Sequence, residues 1–478
     1  MLFPTIDFAI FFGIVFVLNW LLAPHATRWK IFAVAASYVF YAWYDWRFVF
    51  LLAISTLVSA GAGRLIHGAR SARVRTRALA LALAADLGLL GFFKYADFFA
   101  ASVDNALHRI GVGGTPVGLL NITVPVAISF FTFMAMSYVI DIYRHDLEPS
   151  PFLDVAVYLS FFPHLLSGPI VRGSELLPQI ARSRQRDPRA IDFPMATFLI
   201  FGGLFKKVVI SSYVSTAIVQ PVFDAPRVHS APEILLAAYG YAVQIYCDFS
   251  GYTDIAIGCA LLLGFQFPQN FDAPYTARSM QDFWRRWHMT LSFWLRDYLY
   301  IPLGGSRGPK RTVYRNLMIT MVLGGLWHGA AWTFVIWGAL HAVAQGVGHW
   351  RRSRRIARGL PPQRDGPAAI WIQRIVTFHV VCLGWIFFDS ATLNGALTMV
   401  SRLVTAWSGP DPLVRAPVVA AIALSLGLQY VPKAWIARSR VAFGQMSAIA
   451  QGLSVAAALL LITTLGPPGV APFIYYKF

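Results

Sequence analysis

The sequence predicts an all-α, polytopic integral membrane protein, with about 10–12 transmembrane helices plus re-entrant or interfacial helices, forming one integral domain over residues 1–478. Three observations carry this prediction. The 478 residues are 57% hydrophobic and only 13% charged, with a mean hydropathy of +0.57, whereas a soluble domain carries roughly 25% charge. Apolar runs suited to a hydrocarbon core of about 30 Å recur along the whole chain. Lys and Arg collect in the short loops between those runs.

Forty Lys plus Arg against 22 Asp plus Glu give a formal charge of +18. In a soluble protein that excess would point to nucleic acid. Placed in short loops, it sets topology and meets anionic lipid headgroups, and no nucleic-acid motif accompanies it. Cys247, Cys259 and Cys382 all fall inside apolar runs without metal or redox spacing, so they read as small core residues.

Taken in order, the chain begins with an apolar stretch from Phe8 to Ala23. It has no basic region before it and no small-residue cleavage site after it, so it reads as a retained first span. Runs at about 31–43 and 47–66 follow, and then a loop with Arg70, Arg73, Arg75 and Arg77. The positive-inside rule makes that loop and the Arg28/Lys30 loop cytoplasmic and puts the amino terminus outside. Further spans are expected at about 78–99 and 118–140, the second ending on Asp141-Ile142-Tyr143-Arg144. The stretch 151–177 is apolar but broken at Pro163 and at Ser167-Gly168-Pro169, which predicts a re-entrant segment covered by protein or lining a cavity.

Spans at about 192–220 and 232–263 lead into residues 264–315, which hold eight Lys and Arg and read as amphipathic or half-inserted. Spans at about 316–334 and 335–350 precede a basic loop with Arg351, Arg352, Arg354, Arg355 and Arg358, and 358–367 is the one linker-like stretch. The last spans, at about 371–390, 414–432 and 446–465, flank a loop from Lys433 to Arg440.

Against this apolar background, residues 281–329 stand out. They contain Asp282-Phe283-Trp284-Arg285-Arg286-Trp287-His288 and Gly324-Gly325-Leu326-Trp327-His328-Gly329. His328 falls about 13 residues along a helix rising from a cytoplasmic loop, roughly 20 Å deep at 1.5 Å per residue. An imidazole at that depth needs a partner or a cavity, and intramembrane ionisable groups mark function by default. A neutral histidine there suits general base catalysis, taking a proton from a hydroxyl as it attacks an acyl carbonyl. The alternative is a helix-packing histidine bonded to a backbone carbonyl.

His288, flanked by Trp287, Arg285 and Arg286, reads either as part of an interface anchor or as the donor end of the same site, the arginines receiving an anionic donor. Asp248 and Asp254 lie six apart in an apolar run, with Gly251 placed to break the helix between them. They would orient a histidine or arginine, or form structural ion pairs with the Arg285 and Arg286 region. Trp327, Asp248 and Asn270 join Trp287, Arg285 and Arg286 as candidate substrate-binding residues. His341, His349 and His379 read as structural, whereas His164, in its broken segment, stays open. No metal ligand set is expected.

The segments 125–144, 161–172, 244–258, 282–305 and 324–329 resemble the membrane-bound O-acyltransferase family, and within it the alginate O-acetyltransferase branch. The Asp-Phe-Trp-Arg-Arg-Trp-His and Trp-His-Gly motifs carry most of the resemblance. It implies a multi-pass bacterial inner-membrane protein with a central channel, His328 as the catalytic histidine and His288 as the second motif histidine. No bound cofactor is implied. Acetyl-CoA is the implied acyl donor, and the implied partners are periplasmic polysaccharide-acetylation proteins and an exopolysaccharide acceptor. Peptidoglycan, cellulose and D-alanylated teichoic acid are the acceptors of similar proteins. Paired half-helices in two similar halves, the sequence pointer to a transporter, are missing.

Overall fold

The computed structural model describes residues 1–111, 120–166, 168–360, 365–467 and 473–474. Every regular element among them is helical. Ser167, the start of the predicted 118–140 span and part of the 358–367 linker lie outside the described residues.

The chain divides into two compact units. One comprises Met1–Ala196 with Ala256–Pro268, and the other Thr197–Ile255 with Gln269–Phe478. In the first, Thr5 caps the opening helix Ile6–Leu22 by accepting from the Phe8 amide at 3.3 Å. The short helices Phe152–Ser160, Phe162–Leu165 and Gly173–Ala181 occupy the segment predicted to be broken. None of them is long enough to span about 30 Å at 1.5 Å per residue. The same unit buries the Arg186 guanidinium among aromatic rings, 4.4 Å from Trp29 and 4.7 Å from Phe265.

Among the described residues, five helices are long and apolar enough to cross a membrane: Trp46–Gly68, Ala72–Arg109, Phe193–Asp224, Pro367–Asp389 and Ala448–Leu465. A sixth span results if Ala416–Leu428 and Lys433–Gly444, bent by 90°, count together. Other predicted spans fall on helices that are shorter, such as Ile6–Leu22, or that carry basic ends, such as Lys310–His328 and Trp332–Ala357.

Three expectations are corrected. Basic stretches expected as loops are helical: Arg28 and Lys30 lie in Ala26–Ala42, Arg73, Arg75 and Arg77 in Ala72–Leu90, and Arg351, Arg352, Arg354 and Arg355 in Trp332–Ala357. The stretch Lys433–Arg440 is not a loop, because it lies in the helix Lys433–Gly444, which starts directly after Pro432. Gly251 does not break its helix. Ala231–Leu262 is continuous, and Gly251 instead lets the helix carrying Gly203 approach closely, since a Cβ at Gly251 would stand 2.7 Å from the Gly203 carbonyl oxygen.

In the second unit, Lys310–His328 and Trp332–Ala357 form an antiparallel hairpin with glycine at its contact. A Cβ on Gly325 would stand 2.2 Å from the Phe334 carbonyl oxygen, and one on Gly338 2.3 Å from that of Met321. Gly329 ends the first helix, and a Cβ there would strike the Phe334 ring at 2.0 Å. The helix therefore stops at His328, short of the predicted 316–334 run, because Phe334 folds back over the turn.

Candidate active site

Residues 270–296 are shaped by local hydrogen bonds. Ser279 caps the short helix Met280–Trp284 by accepting from the Asp282 amide, and Asp282 in turn accepts from Arg286 Nε at 2.8 Å. The chain then turns at His288, whose backbone is left-handed at φ +42°. A non-glycine residue held there is strained by the clash of its Cβ with the backbone, and such strain clusters at functional sites.

Asn270 holds the turn. Its Oδ1 accepts from the Thr290 amide at 3.2 Å and from Thr290 Oγ1 at 2.9 Å, and it faces His288 Nδ1 at 3.3 Å. An amide N–H only donates, so the atom facing His288 is the carboxamide oxygen and the imidazole donates to it from Nδ1. In the neutral ring the lone pair then lies on Nε2. The His288 segment is not among the candidate spans, and burial pushes its imidazole down to about 3. His288 is neutral at physiological pH, the form in which an imidazole accepts a proton.

The two motif histidines meet. The rings of His288 and His328 lie 6.5 Å apart, and both residues are buried, at 0% and 3% exposure. Trp327 stands beside both, 5.8 Å from His288 and 4.9 Å from His328. Trp337 and Phe388 enclose the other sides of His328 at 5.2 Å and 5.1 Å. Phe249 packs edge-on against His288 at 4.7 Å.

A cavity of about 310 Å³ lies along the same helix Lys310–His328, lined by Arg285, Arg296, Arg352, Gln281, Gln345 and Thr320 among others. Its lining on the helix Lys310–His328 includes Leu317, Thr320 and Met321, on the stripe that continues through Gly324 to His328. From Met321 to His328 is about 10 Å at 1.5 Å per residue. Neither histidine lines the cavity itself.

The other candidates lie elsewhere. Asp248 pairs with Lys207 and accepts from the Ile474 amide at 2.8 Å, while Asp254 pairs with Lys206. This corrects the expected pairing with the Arg285 and Arg286 region, because the helix Phe193–Asp224 brings its two lysines to the carboxylates first. Arg286 is held by Asp282 and by the Asp272 carbonyl. Trp287 is buried in an aromatic cluster, stacked on Phe283 at 5.6 Å and 5.0 Å from Trp385.

His341 accepts from the Trp284 indole at 3.2 Å, and His379 shares a hydrogen bond with Tyr239 at 2.7 Å. His349 differs from the expectation, since it lines the cavity. Gln281, Arg296 and Thr320 lie inside the 281–329 stretch singled out in the sequence but were not named as candidates, and Gln345 and Arg352 lie outside it. Gln345, His349 and Arg352 recur at i, i+4 and i+7, a polar stripe that marks one helix face. No group of metal-binding side chains occurs among the described residues.

The sequence model of the MBOAT, membrane-bound O-acyltransferase family matches residues 37–387, well over half of the chain. The chain belongs to this family. As a membrane-bound O-acyltransferase it is a multi-pass membrane enzyme, and the match takes in both motif histidines and every helix that lines the cavity. It is 38% identical over 410 residues to the protein named "Probable alginate O-acetylase AlgI" in Azotobacter vinelandii, covering 84% of this chain and 78% of that one. Peptidoglycan O-acetyltransferase of Helicobacter pylori is 36% identical over 403 residues, covering 78% of this chain and 73% of that one. Teichoic acid D-alanyltransferase of Bacillus subtilis is 28% identical over 277 residues, covering 55% and 68%.

Proposed function

We propose that this acyltransferase moves an acetyl group from cytoplasmic acetyl-CoA to an exported polysaccharide such as alginate, from a bacterial inner membrane, with His328 as general base. The observation that carries the reading is the meeting of two buried imidazoles, 6.5 Å apart, at the end of a helix whose lower turns line a three-arginine cavity. Arg285, Arg296 and Arg352 supply planar, permanently charged donors suited to the phosphates of the acyl donor.

His328 takes the proton of the acceptor hydroxyl as its oxygen attacks the thioester carbonyl. The carbon–sulfur bond breaks, an oxygen ester forms, and the proton passes to the departing thiolate. His288, fixed by Asn270 with its lone pair on Nε2, assists beside it. Asp248, Trp287 and Arg286 support the site through packing and ion pairing; Trp327 packs beside both imidazoles. Periplasmic acetylation proteins carry the product step on the far side.

Peptidoglycan is the second acceptor to test, because the peptidoglycan O-acetyltransferase is similar at 36% identity over 78% of this chain. The experiment supplies labelled acetyl-CoA to membranes carrying wild type or His328→Ala and follows label into alginate and into peptidoglycan. Label in alginate with wild type alone is expected. Equal transfer by the variant rejects His328 as base, and label in peptidoglycan alone reassigns the acceptor.

A further inference from the structure

A second cleft lies on the helix hairpin, on the stripe beside the one that faces the cavity. This crevice of about 360 Å³ is lined by Tyr314 and Met318 from one helix and by Val343, Gly346, Val347 and Trp350 from the other. It shares no lining residue with the arginine cavity. Val343, Val347 and Trp350 are 54%, 44% and 46% exposed, so an apolar trough runs about 10 Å along the hairpin.

Its lower end is strongly basic. Lys310 and Arg311 open the first helix, Arg351 and Arg354 lie in the last turns of the second, and all four are exposed. The antiparallel pairing, in which a Cβ on Gly346 would stand 3.6 Å from the Tyr314 ring, brings them to one end. The Arg354 guanidinium stands 5.1 Å over the Trp350 ring and ties the basic end to the crevice. Residues 298–364 contain no Asp or Glu, so neither helix supplies a carboxylate to neutralise these cations.

We propose that the crevice holds one anionic phospholipid, an acyl chain lying along Met318, Val343 and Val347 and the phosphate received by Lys310, Arg311, Arg351 and Arg354. Basic pockets between helices at a membrane surface take such headgroups, and the apolar trough accepts the chain that a soluble anion lacks.

The test titrates the purified full chain with phosphatidylglycerol or with phosphatidylcholine of the same acyl chains and counts retained lipids by native mass spectrometry. Wild type is expected to hold phosphatidylglycerol about tenfold more tightly, and the double variant R351Q/R354Q to lose that preference. Gly346→Leu fills the crevice without a backbone clash, since its Cβ meets Tyr314 ring carbons at 3.6 and 3.9 Å, and should lower retention of both lipids. As a control, R182Q/R184Q, exposed arginines of the other compact unit, should leave the preference intact. Equal retention of the two lipids by wild type, or wild-type behaviour of R351Q/R354Q or of Gly346→Leu, overturns the proposal. So does an equal loss in R182Q/R184Q, which would mark general charge attraction. A changed oligomeric state in Gly346→Leu with unaltered lipid retention would assign the crevice to a second copy of the chain and overturn it as well.

Discussion

Asn270 shows how a single carboxamide fixes the chemistry of its neighbour. Its oxygen serves three donors at one turn, and without it the Thr290 amide and hydroxyl are left buried and the imidazole is free to take the other tautomer. Asn270→Ala is therefore expected to cost about 1–3 kcal/mol in thermal stability and to reduce turnover well beyond any change in donor KM. The lysines of Phe193–Asp224 give a second contrast. Lys207 is fully buried against Asp248, so Lys207→Met leaves an uncompensated charge and should destabilise by about 3–5 kcal/mol. Lys206 and Asp254 keep 21% and 27% side-chain exposure, so Lys206→Met should cost distinctly less in the same melting experiment. His288 and His328 were legible in the sequence because an imidazole is conspicuous in an apolar run. The partners of Asp248 were not, because helix periodicity carries no information about which lysine some forty residues away packs opposite a carboxylate.

Within the helices, adjacent glycines have separate duties. Gly325 is the contact of the hairpin, where a side chain would drive into the Phe334 carbonyl, whereas a Cβ on Gly324 meets only the Leu295 methyl at 3.1 Å. Gly325→Leu should lower melting temperature by forcing the two backbones apart, a cost of about 1–3 kcal/mol or more. Gly324→Leu projects onto the stripe between Met321 and His328 and meets a movable methyl and no backbone, so it should lower the melting temperature less than Gly325→Leu does. Two adjacent glycines in a sequence do not tell which of them a neighbouring helix packs against. The continuity of the helix through Gly251 was likewise hidden, because the local propensity of glycine is overridden by the packing it permits against Gly203.

Across the whole molecule, 40 Lys and Arg stand against 22 Asp and Glu. The excess of basic residues was plain from composition, but most of the stretches expected as basic loops are helical, because arginine and lysine are good helix formers and extend the ends of apolar helices. The arginines that line the cavity were harder to see, because Arg285, Arg296 and Arg352 come from three separate segments that only folding assembles. Replacing them singly with Gln should raise the KM for acetyl-CoA by about tenfold each with little change in kcat, as expected for lost charge-assisted bonds to phosphate.

The most direct measurement is thiol release from acetyl-CoA by purified enzyme in vesicles with the acceptor polymer present, compared for wild type and His328→Ala alongside a donor-binding isotherm. We expect the variant to lose about 10²–10⁴ in kcat while binding donor as wild type does. Undiminished thiol release and transfer by His328→Ala would contradict a base at that position.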